Sequence, residues 1–375
     1  MKPNRFAAII LAAGLSRRMG QFKPLLLIGG ETITDRVASL FLENGVDVIL
    51  VTGWQGNSLI DGIKSRDITV VENPDYKKDM FSSVRVGISR LQPAHQAFFV
   101  MPVDIPLVRA ATIKRILDVA TEHPGKIIQP VFRGTRGHPP LIPSSLVPVI
   151  MDWRKSGGLK AVLRAHSEAL IEVMVPDENI LLDADNRDDF TAHLERFRHY
   201  EIPSDCECAA LMDIAGTPDN VQRHCRKVAE VAIGIAESLI AAGQNVNVGM
   251  VRAASVLHDI TKGHQEHASS GGWLLKASGF EKVGAIVAAH TDLKAGESAE
   301  SLESKIVFLA DKFVRDEEIV SIRERYRSAM EKYVAIPEVA GKILKWESHC
   351  LMVKEEIEKL LGHSLDEIVF KQPSE

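Results

Sequence analysis

Two groups of polar residues in this chain are of types that handle phosphate. The first is compact. Leu11-Ala12-Ala13-Gly14-Leu15-Ser16-Arg17-Arg18-Met19-Gly20-Gln21-Phe22-Lys23 follows a short apolar run and gathers glycine, a hydroxyl, arginines and a lysine. A strand ending in such a loop presents main-chain N–H groups and cationic side chains at one place, which suits a polyphosphate. The loop contains neither GxxxxGK[ST] nor GxGxxG, so the P-loop and dinucleotide fingerprints are absent. Two glycines alone would mean only a tight turn; Arg18 and Lys23 beside them point to phosphate. The second group is dispersed. His224, His258-Asp259, His267, His290 and Asp311 interrupt apolar helical faces in the C-terminal half. Imidazoles and carboxylates on inward faces of separate helices are how a bundle builds a metal site. A lone buried histidine is ordinarily a satisfied core residue, but six such residues in one stretch shift that balance.

The compact group needs a sheet to present it. Residues 5 to about 198 alternate strand-like runs (Phe6–Leu11, Val46–Thr52, Ile68–Val71, Ala97–Val103) with segments of helical spacing (Ile33–Asn44, Ser58–Lys64, Ser83–Leu91). Such alternation implies crossover units and a mostly parallel sheet covered on both faces, with ligands outside the carboxyl ends of the strands. The fourth run ends in Met101-Pro102-Val103-Asp104-Ile105-Pro106. A carboxylate at that exit can hold Mg²⁺ against substrate phosphates; the plainer role is a helix cap or an Asx-turn. Ile180–Leu182 reads as a strand running into Asp183-Ala184-Asp185-Asn186-Arg187-Asp188-Asp189. Strand alternation puts Asp183 and Asp185 on one face, where one of them can complete a metal site; Asp188 or Asp189 is expected to cap the next helix. Ser82-Ser83 stands at a helix start, and Gly134 to Pro140 is a turn whose glycines permit close ligand approach.

The dispersed group needs helices. After a less patterned connector near residues 199–215, strand-like runs nearly vanish. Thr217-Pro218 reads as an N-cap with proline at the first helical position, followed by a stripe of Val221, Cys225, Val228, Ala232, Ile235, Ala236 and Leu239, with Gly243 as the stop. Further helices are expected around 247–261, 265–278, 280–291, 301–315, 318–334 and 337–361.

Bulk properties narrow the classes. At 375 residues the chain holds about two or three domains. A net charge of −5 argues against a general nucleic-acid binder. No apolar run reaches the ~18 residues of a membrane span, and no secretory leader pattern is present. Four cysteines (Cys206, Cys208, Cys225, Cys350) do not make a disulfide framework, so a cytoplasmic location is expected. The Cys206-Glu207-Cys208 pair has no second pair to complete a metal site.

The first half resembles the nucleotidyltransferases with an NTP-transferase fold, and within them the molybdenum-cofactor branch, especially the molybdopterin cytidylyltransferases. The resemblance rests on Leu11-Ala12-Ala13-Gly14 through Arg18-Met19-Gly20 and Lys23, then Asn73-Pro74-Asp75-Tyr76 with Ser82-Ser83-Val84, Val103-Asp104-Ile105-Pro106, Arg136-Gly137-His138-Pro139 and Asp183-Ala184-Asp185. It implies that Ala12, Ala13, Gly14, Ser16, Arg18, Lys23, Ser82 and Ser83 bind the nucleotide and that Asp104 and Asp185 bind Mg²⁺. It further implies that Arg18, Lys23 and Asp104 carry the catalysis, and that the acceptor is held near Arg136, Gly137, His138 and Pro139. Two positions depart from the family pattern: Asp79 replaces a glycine, and Ser156-Gly157-Gly158-Leu159-Lys160-Ala161 lacks the family's acid. Both bear on the acceptor. The Ala-Ala-Gly form favours cytidine over guanosine by the same resemblance.

The second half is similar to the HD-domain metal-dependent phosphohydrolases, most of all the bacterial dinucleoside-tetraphosphatase branch. This rests on Leu257-His258-Asp259-Ile260-Thr261-Lys262, Glu266-His267-Ala268, Ala289-His290-Thr291 and Leu309-Ala310-Asp311-Lys312. The resemblance implies His224, His258, Asp259 and Asp311 as core ligands of one or two transition metals (Fe, Mn or Zn). His267 and His290 would serve a second metal, and Lys262 would hold a substrate phosphate.

The expectation is therefore a Rossmann-like, mostly parallel α/β nucleotidyltransferase domain (1–200), a linker (201–216) and an all-α HD-type bundle (217–375). Its expected reaction is Mg²⁺-dependent transfer of CMP from CTP, or of another nucleotidyl group, to molybdopterin, with molybdenum enzymes as recipients of the product. Neither nucleic acid nor membrane is expected as a partner, and the oligomeric state is left open. The alternatives kept beside it are transfer to a sugar or alcohol phosphate, and a nucleotide-sensing regulator without turnover.

Overall fold

The computed structural model describes residues 5–16, 18–65, 67–293 and 301–370; Arg17 of the phosphate loop lies outside them. The chain divides into two compact units, Met1–Tyr200 and Glu201–Glu375.

The first unit contains strands β1 (Phe6–Leu11), β2 (Leu27–Ile28), β3 (Glu31–Thr32), β4 (Asp47–Thr52), β5 (Ile68–Glu72), β6 (Ala97–Pro102), β7 (Ile127–Phe132), β8 (Thr135–Arg136), β9 (Leu141–Pro143) and β10 (Leu170–Met174). Its helices are α1 (Ile33–Leu42), α2 (Gly56–Gly62), α3 (Met80–Ile88), α4 (Ala110–Glu122), α5 (Val147–Asp152), α6 (Gly158–Ala165) and α7 (Arg187–Arg198). The main sheet runs β10-β7-β9-β6-β1-β4-β5, with β8 on β7. Strands β5, β4, β1 and β6 are parallel neighbours. They are the four apolar runs of the sequence, and β1 is almost wholly buried (Ala7 to Ile10) because helices cover both faces. From β1 the chain passes first to β4 on one side and later to β6 on the other. That reversal opens a crevice at the carboxyl ends of β1 and β6, where α/β sheets bind ligands.

Two expectations need correction here. Ile180–Leu182 is not a strand: Glu178–Leu181 forms a 3-10 turn, so the alternation argument for Asp183 and Asp185 does not hold. The turn follows from Asp177, whose buried carboxylate accepts from the Asn179 main-chain and side-chain N–H groups and from Arg109 N and Thr112 Oγ1. Helix α7 is capped by Asn186, not by Asp188 or Asp189. Asn186 accepts from both following N–H groups, while Asp189 closes the capping box by accepting from Asn186 N and Asp185 N. Strands β7 to β10 were not read from the sequence. Gln129 and Pro130 break the apolar run of β7 in the sequence, although the strand itself is continuous, and β8 and β9 are short antiparallel insertions among parallel strands.

The second unit contains α8 (Asp205–Ala215), α9 (Asp219–Ala241), α10 (Val248–Leu257), α11 (His267–Ala277), α12 (Glu281–Ala289), α13 (Leu302–Phe313), a two-stranded hairpin β11 (Val314–Arg315) and β12 (Glu318–Ile319), then α14 (Ile322–Tyr333), α15 (Pro337–Leu361) and α16 (Leu365–Val369). The stretch expected as a linker carries α8, started by a Ser204/Glu207 capping box, with Cys208, Leu211 and Met212 in the bundle core. Pro218, not Thr217, caps α9; Thr217 Oγ1 instead donates to Ile260 O at 2.8 Å, pinning the start of α9 to the turn after α10. From Cys225 to Leu239 the α9 stripe is buried as its spacing predicts, while Val221 is only partly covered.

Helices α11 and α12 meet through Gly272 and Gly284. A Cβ on either would lie 2.6 Å from the other's carbonyl oxygen, so the backbones can approach only because both side chains are hydrogen. Gly272→Ala is expected to destabilise this unit by about 1–3 kcal/mol through overpacking. By contrast, Gly341→Ala, where a Cβ meets open space, should be neutral or slightly stabilising. Chemical denaturation of both variants checks the difference.

Candidate functional site

In the first unit three loops converge on one ammonium group. Lys23 is 8% exposed, and its Nζ lies 3.0 Å from Asp104 Oδ2 and 3.5 Å from Asp185 Oδ1. The Arg18 Nη1 donates to Asp185 Oδ2 at 2.8 Å. Main-chain hydrogen bonds set this geometry. Val103 N donates to Leu11 O, joining the exits of β1 and β6, and Ala184 N donates to Asp104 O at 2.8 Å, drawing in the loop that carries Asp185. Asp189 holds the Asp185 N–H from the far side. Within the phosphate loop, Ser16 adopts a left-handed φ of 47°, and its Oγ accepts from Lys23 N at 3.1 Å, closing the loop on itself. A side chain in that region costs about 1–3 kcal/mol, so the surrounding structure holds the loop in place.

These residues border a cleft of about 200 Å³ lined by Ala12, Ala13, Gly14, Ser16, Lys23, Ser83 and Asp104, with Tyr76, Asp79 and Met80 on its other wall. A Cβ on Gly14 would meet no protein atom within 4 Å, so packing does not demand glycine there; what it leaves is room over the loop. Ser82 is not among the lining residues: its hydroxyl and that of Ser83 are both held by Asn73 Nδ2 at 2.9 Å. Asp79, the departure from the family pattern, caps α3 through Ser82 N. The carboxylates of Asp104 and Asp185 form the hard-oxygen donor set that suits Mg²⁺.

The four expected acceptor residues are not held as a group. Arg136 is exposed and pairs with Glu172 at 2.7 Å on the β8 edge. Gly137 and Pro139 are buried, Gly137 against Ile180 so tightly that a Cβ would strike it. His138 is half-buried and is not among the residues that line the cleft. Burial pushes its imidazole below the ordinary value, against the opposing pull of a main-chain hydrogen bond to Val100 and of the Asp104 and Asp183 charges, and its Nδ1 has no hydrogen-bond partner.

In the second unit, the six dispersed residues come together. Asp259 is the hub. Its Oδ1 lies 3.1 Å from His267 Nε2 and 3.5 Å from His290 Nε2, and its Oδ2 lies 3.5 Å from His258 Nε2. Asp311 Oδ1 lies 3.2 Å from His224 Nε2 and 3.7 Å from His258 Nε2. Three of the rings are oriented from behind: the Nδ1–H of His224, His258 and His290 donates to the carbonyls of Asp316, Ser255 and Val287. A carbonyl can only accept, so Nδ1 carries a proton, and Nε2 is turned inward to a position that a second proton or a metal ion can fill. His258 Nε2, His267 Nε2 and Asp259 Oδ1 are all buried without a hydrogen bond. Converging lone pairs of this kind are repulsive unless a proton or a cation stands between them. Two trios with ligand atoms close enough to share an ion result, His224–His258–Asp259 and Asp259–His267–His290, with Asp259 common to both. This donor set fits transition metals such as Fe, Mn or Zn.

The electrostatics agree. Burial alone would raise the Asp259 carboxyl, but His258, His267 and His290 hold it far below the carboxylate range. Burial would likewise raise Asp311, which Lys312, His224, His258 and Arg325 bring well down. Burial lowers His258, yet Cys225, Asp259 and Asp311 outweigh it and raise the imidazole. His290 stays lowered, with burial dominant. Three cations surround the carboxylates: Lys262 Nζ is 2.7 Å from Asp259, Lys312 Nζ 2.5 Å from Asp311, and Arg325 Nη2 3.8 Å from Asp311. Lys312 and Arg325 were not singled out in the sequence. Lys312 adjoins the Asp311 motif and was legible in principle. Arg325, on the charged face of α14, gave no signal. Asp259→Asn is expected to empty both trios of metal, whereas His267→Ala touches only one and retains the metal of the other. Elemental analysis of metal-loaded, folded variants checks this.

The MobA-like NTP transferase domain family matches residues 8–170, and the HD domain family matches residues 221–316. The molybdenum cofactor cytidylyltransferase of Escherichia coli (strain K12) is 30% identical over 190 residues, covering 50% of this chain and 95% of that protein. A probable molybdenum cofactor guanylyltransferase of Pelotomaculum thermopropionicum is 30% identical over 130 residues, 33% of this chain and 60% of that protein. Among solved structures, Rv0371c from Mycobacterium tuberculosis H37Rv aligns over 52% of this chain and 100% of its own at 24% identity, with a TM-score of 0.46. By its N-terminal half the chain belongs to the MobA-like NTP transferases, and it is a two-domain enzyme whose C-terminal half is an HD domain with a His/Asp metal-binding cluster.

Proposed function

We propose that the N-terminal unit transfers a nucleotidyl group, CMP from CTP, to molybdopterin with release of pyrophosphate, and that the C-terminal unit hydrolyses a phosphate ester or anhydride. The observation that carries the first part is the convergence of Arg18, Lys23, Asp104 and Asp185 on the crevice between β1 and β6. Attack of an acceptor phosphate oxygen on the α-phosphorus needs in-line positioning and charge neutralisation, and no nucleophilic side chain. Gly14, Ser16 and the loop main chain cradle the phosphates, while Lys23 and Arg18 balance the charge that grows on the leaving pyrophosphate. Mg²⁺ held by Asp104 and Asp185 would add charge against the reacting phosphates. His138, whose imidazole burial holds below its ordinary value, would serve as a hydrogen-bonding group for the acceptor.

The choice of CTP and molybdopterin is supported by the Ala12-Ala13-Gly14 form and by the name of the Escherichia coli relative. Molybdenum enzymes would then receive the product. The four unpaired cysteines accord with a reducing cytoplasm, and no helix among the described residues is long and apolar enough to cross a membrane. In the C-terminal unit, Lys262, Lys312 and Arg325, which pair with Asp259 and Asp311, would hold substrate phosphate beside the trios. Metal bound there would supply an activated hydroxide.

Pyrophosphate release measured over the four NTPs, with and without molybdopterin, tests the first activity. CTP with molybdopterin is expected to be the productive pair. Asp104→Ala should lower kcat by about 100-fold or more without unfolding the chain. Turnover retained in the folded variant removes Asp104 from its role, and release with a sugar phosphate instead of molybdopterin overturns the acceptor.

A further inference from the structure

Next to the phosphate cleft lies a second, wider one of about 640 Å³. Ser16 and Tyr76 belong to both, so the two are continuous. Three aromatic rings line the wider cleft, each from a different loop: Phe22 from the phosphate loop, Trp54 from the turn after β4, and Tyr76 from the turn after β5. Phe22 and Trp54 meet edge to face, with ring centroids 5.7 Å apart. Trp54 nevertheless remains 36% exposed. The core does not require these rings, because all three stand at loop positions beyond the carboxyl ends of the strands.

The turn that carries Trp54 is positioned closely. Gln55, the next residue, has a left-handed φ of 56°, a conformation side chains adopt only where the surroundings impose it. Gly53, the preceding residue, is pressed against both neighbours. A Cβ there would lie 2.7 Å from Tyr76 Cβ and 2.9 Å from the Cβ and carbonyl oxygen of Ala13. The aromatic cleft is therefore tied to the backbone that forms the floor of the phosphate cleft. Lys77 places a cation 5.7 Å from the Tyr76 ring, and the Gln55 amide offers a donor and an acceptor at the same wall.

We propose that this cleft is a stacking subsite for the planar heteroaromatic ring of a phosphorylated substrate whose phosphates sit at Lys23 and Asp104. Aromatic faces recognise any flat π-system, and polar groups at the wall read its edge. The inference rests on the nucleotidyl-transfer reading only for where the phosphates lie. Two rings share this chemistry, the base of the nucleotide and the pterin of the acceptor, and experiment separates them.

The test uses the full chain and its Trp54→Ala and Trp54→Phe variants, with binding measured calorimetrically for CTP, a pterin monophosphate and Mg-tripolyphosphate. Trp54→Ala is expected to weaken one ring-bearing ligand by about 10-fold or more. Tripolyphosphate should bind as to the parent chain, and Trp54→Phe should restore most of the loss. A loss confined to CTP assigns the cleft to the base, and one confined to the pterin phosphate assigns it to the acceptor. Unchanged binding of both, an equal loss for tripolyphosphate, or a parent chain that binds tripolyphosphate but neither ring compound overturns the subsite. Ring binding through Trp54 in a chain that releases no pyrophosphate overturns the cytidylyl-transfer reading alone.

Discussion

A nearly buried ammonium group must have anionic partners, and in the first unit that requirement sets where three loops go. Lys23 cannot lose its water without carboxylates close by. Asp104 reaches it from the exit of β6, and Asp185 from the run into α7. The phosphate loop is thus closed by a charge cluster rather than by apolar packing. Such a cluster exchanges partners readily, since a polyphosphate can take over the lysine and a divalent cation the carboxylates. The same three residues that order the loop are those whose charges a nucleotide and its metal would satisfy.

The second unit applies the inverse constraint. There the buried groups are carboxylates and imidazoles, and the cations stand around them. Asp259 and Asp311 are held ionised against the cost of burial by histidines, Lys262, Lys312 and Arg325. Carbonyls behind three of the rings hold the Nδ1–H groups, so each Nε2 is turned toward the carboxylates, where a proton or a metal ion must stand between them. Preorganisation of this kind is costly to leave unliganded, which is the physical reason to read the cluster as a metal centre. Its supporting frame is equally specific: Thr217 pins the start of α9 to the turn that follows His258 and Asp259, and the Gly272–Gly284 contact lets α11 and α12 close on each other.

Much of this was legible in the residues. The four parallel strands are continuous β-branched and apolar runs, and such runs are visible because both faces of the sheet are buried. The helices of the second half show their 3.6-residue spacing for a different reason, since each buries one face and leaves the other to solvent. Asp104 could be placed at a strand exit because the strand and its flanking prolines are local. Less local features were misread. Ile180–Leu182 is apolar enough to be a strand, but Asp177 captures the backbone N–H groups there and winds the segment into a 3-10 turn. The connector after residue 200 looked unpatterned, although Ser204 and Glu207 start a helix in it. The acceptor motif reads as a unit in the chain, yet Arg136 ends β8 on the surface, paired with Glu172, while His138 lies beyond the strand and is largely covered.

By itself, the sequence determined the two fold classes, the cationic make-up of the first loop and the identity of the six His and Asp residues that the bundle gathers. All of these depend on residue type and short-range periodicity. Tertiary structure decided which charges meet. That Lys23 sits between Asp104 and Asp185, that Asp259 is shared by both trios, and that Arg325 from a later helix faces Asp311 are consequences of packing between segments distant in the chain. The same holds for Phe22, Trp54 and Tyr76. Each is an unremarkable aromatic in its own loop, and only the sheet, by bringing the exits of β1, β4 and β5 side by side, makes one surface of them.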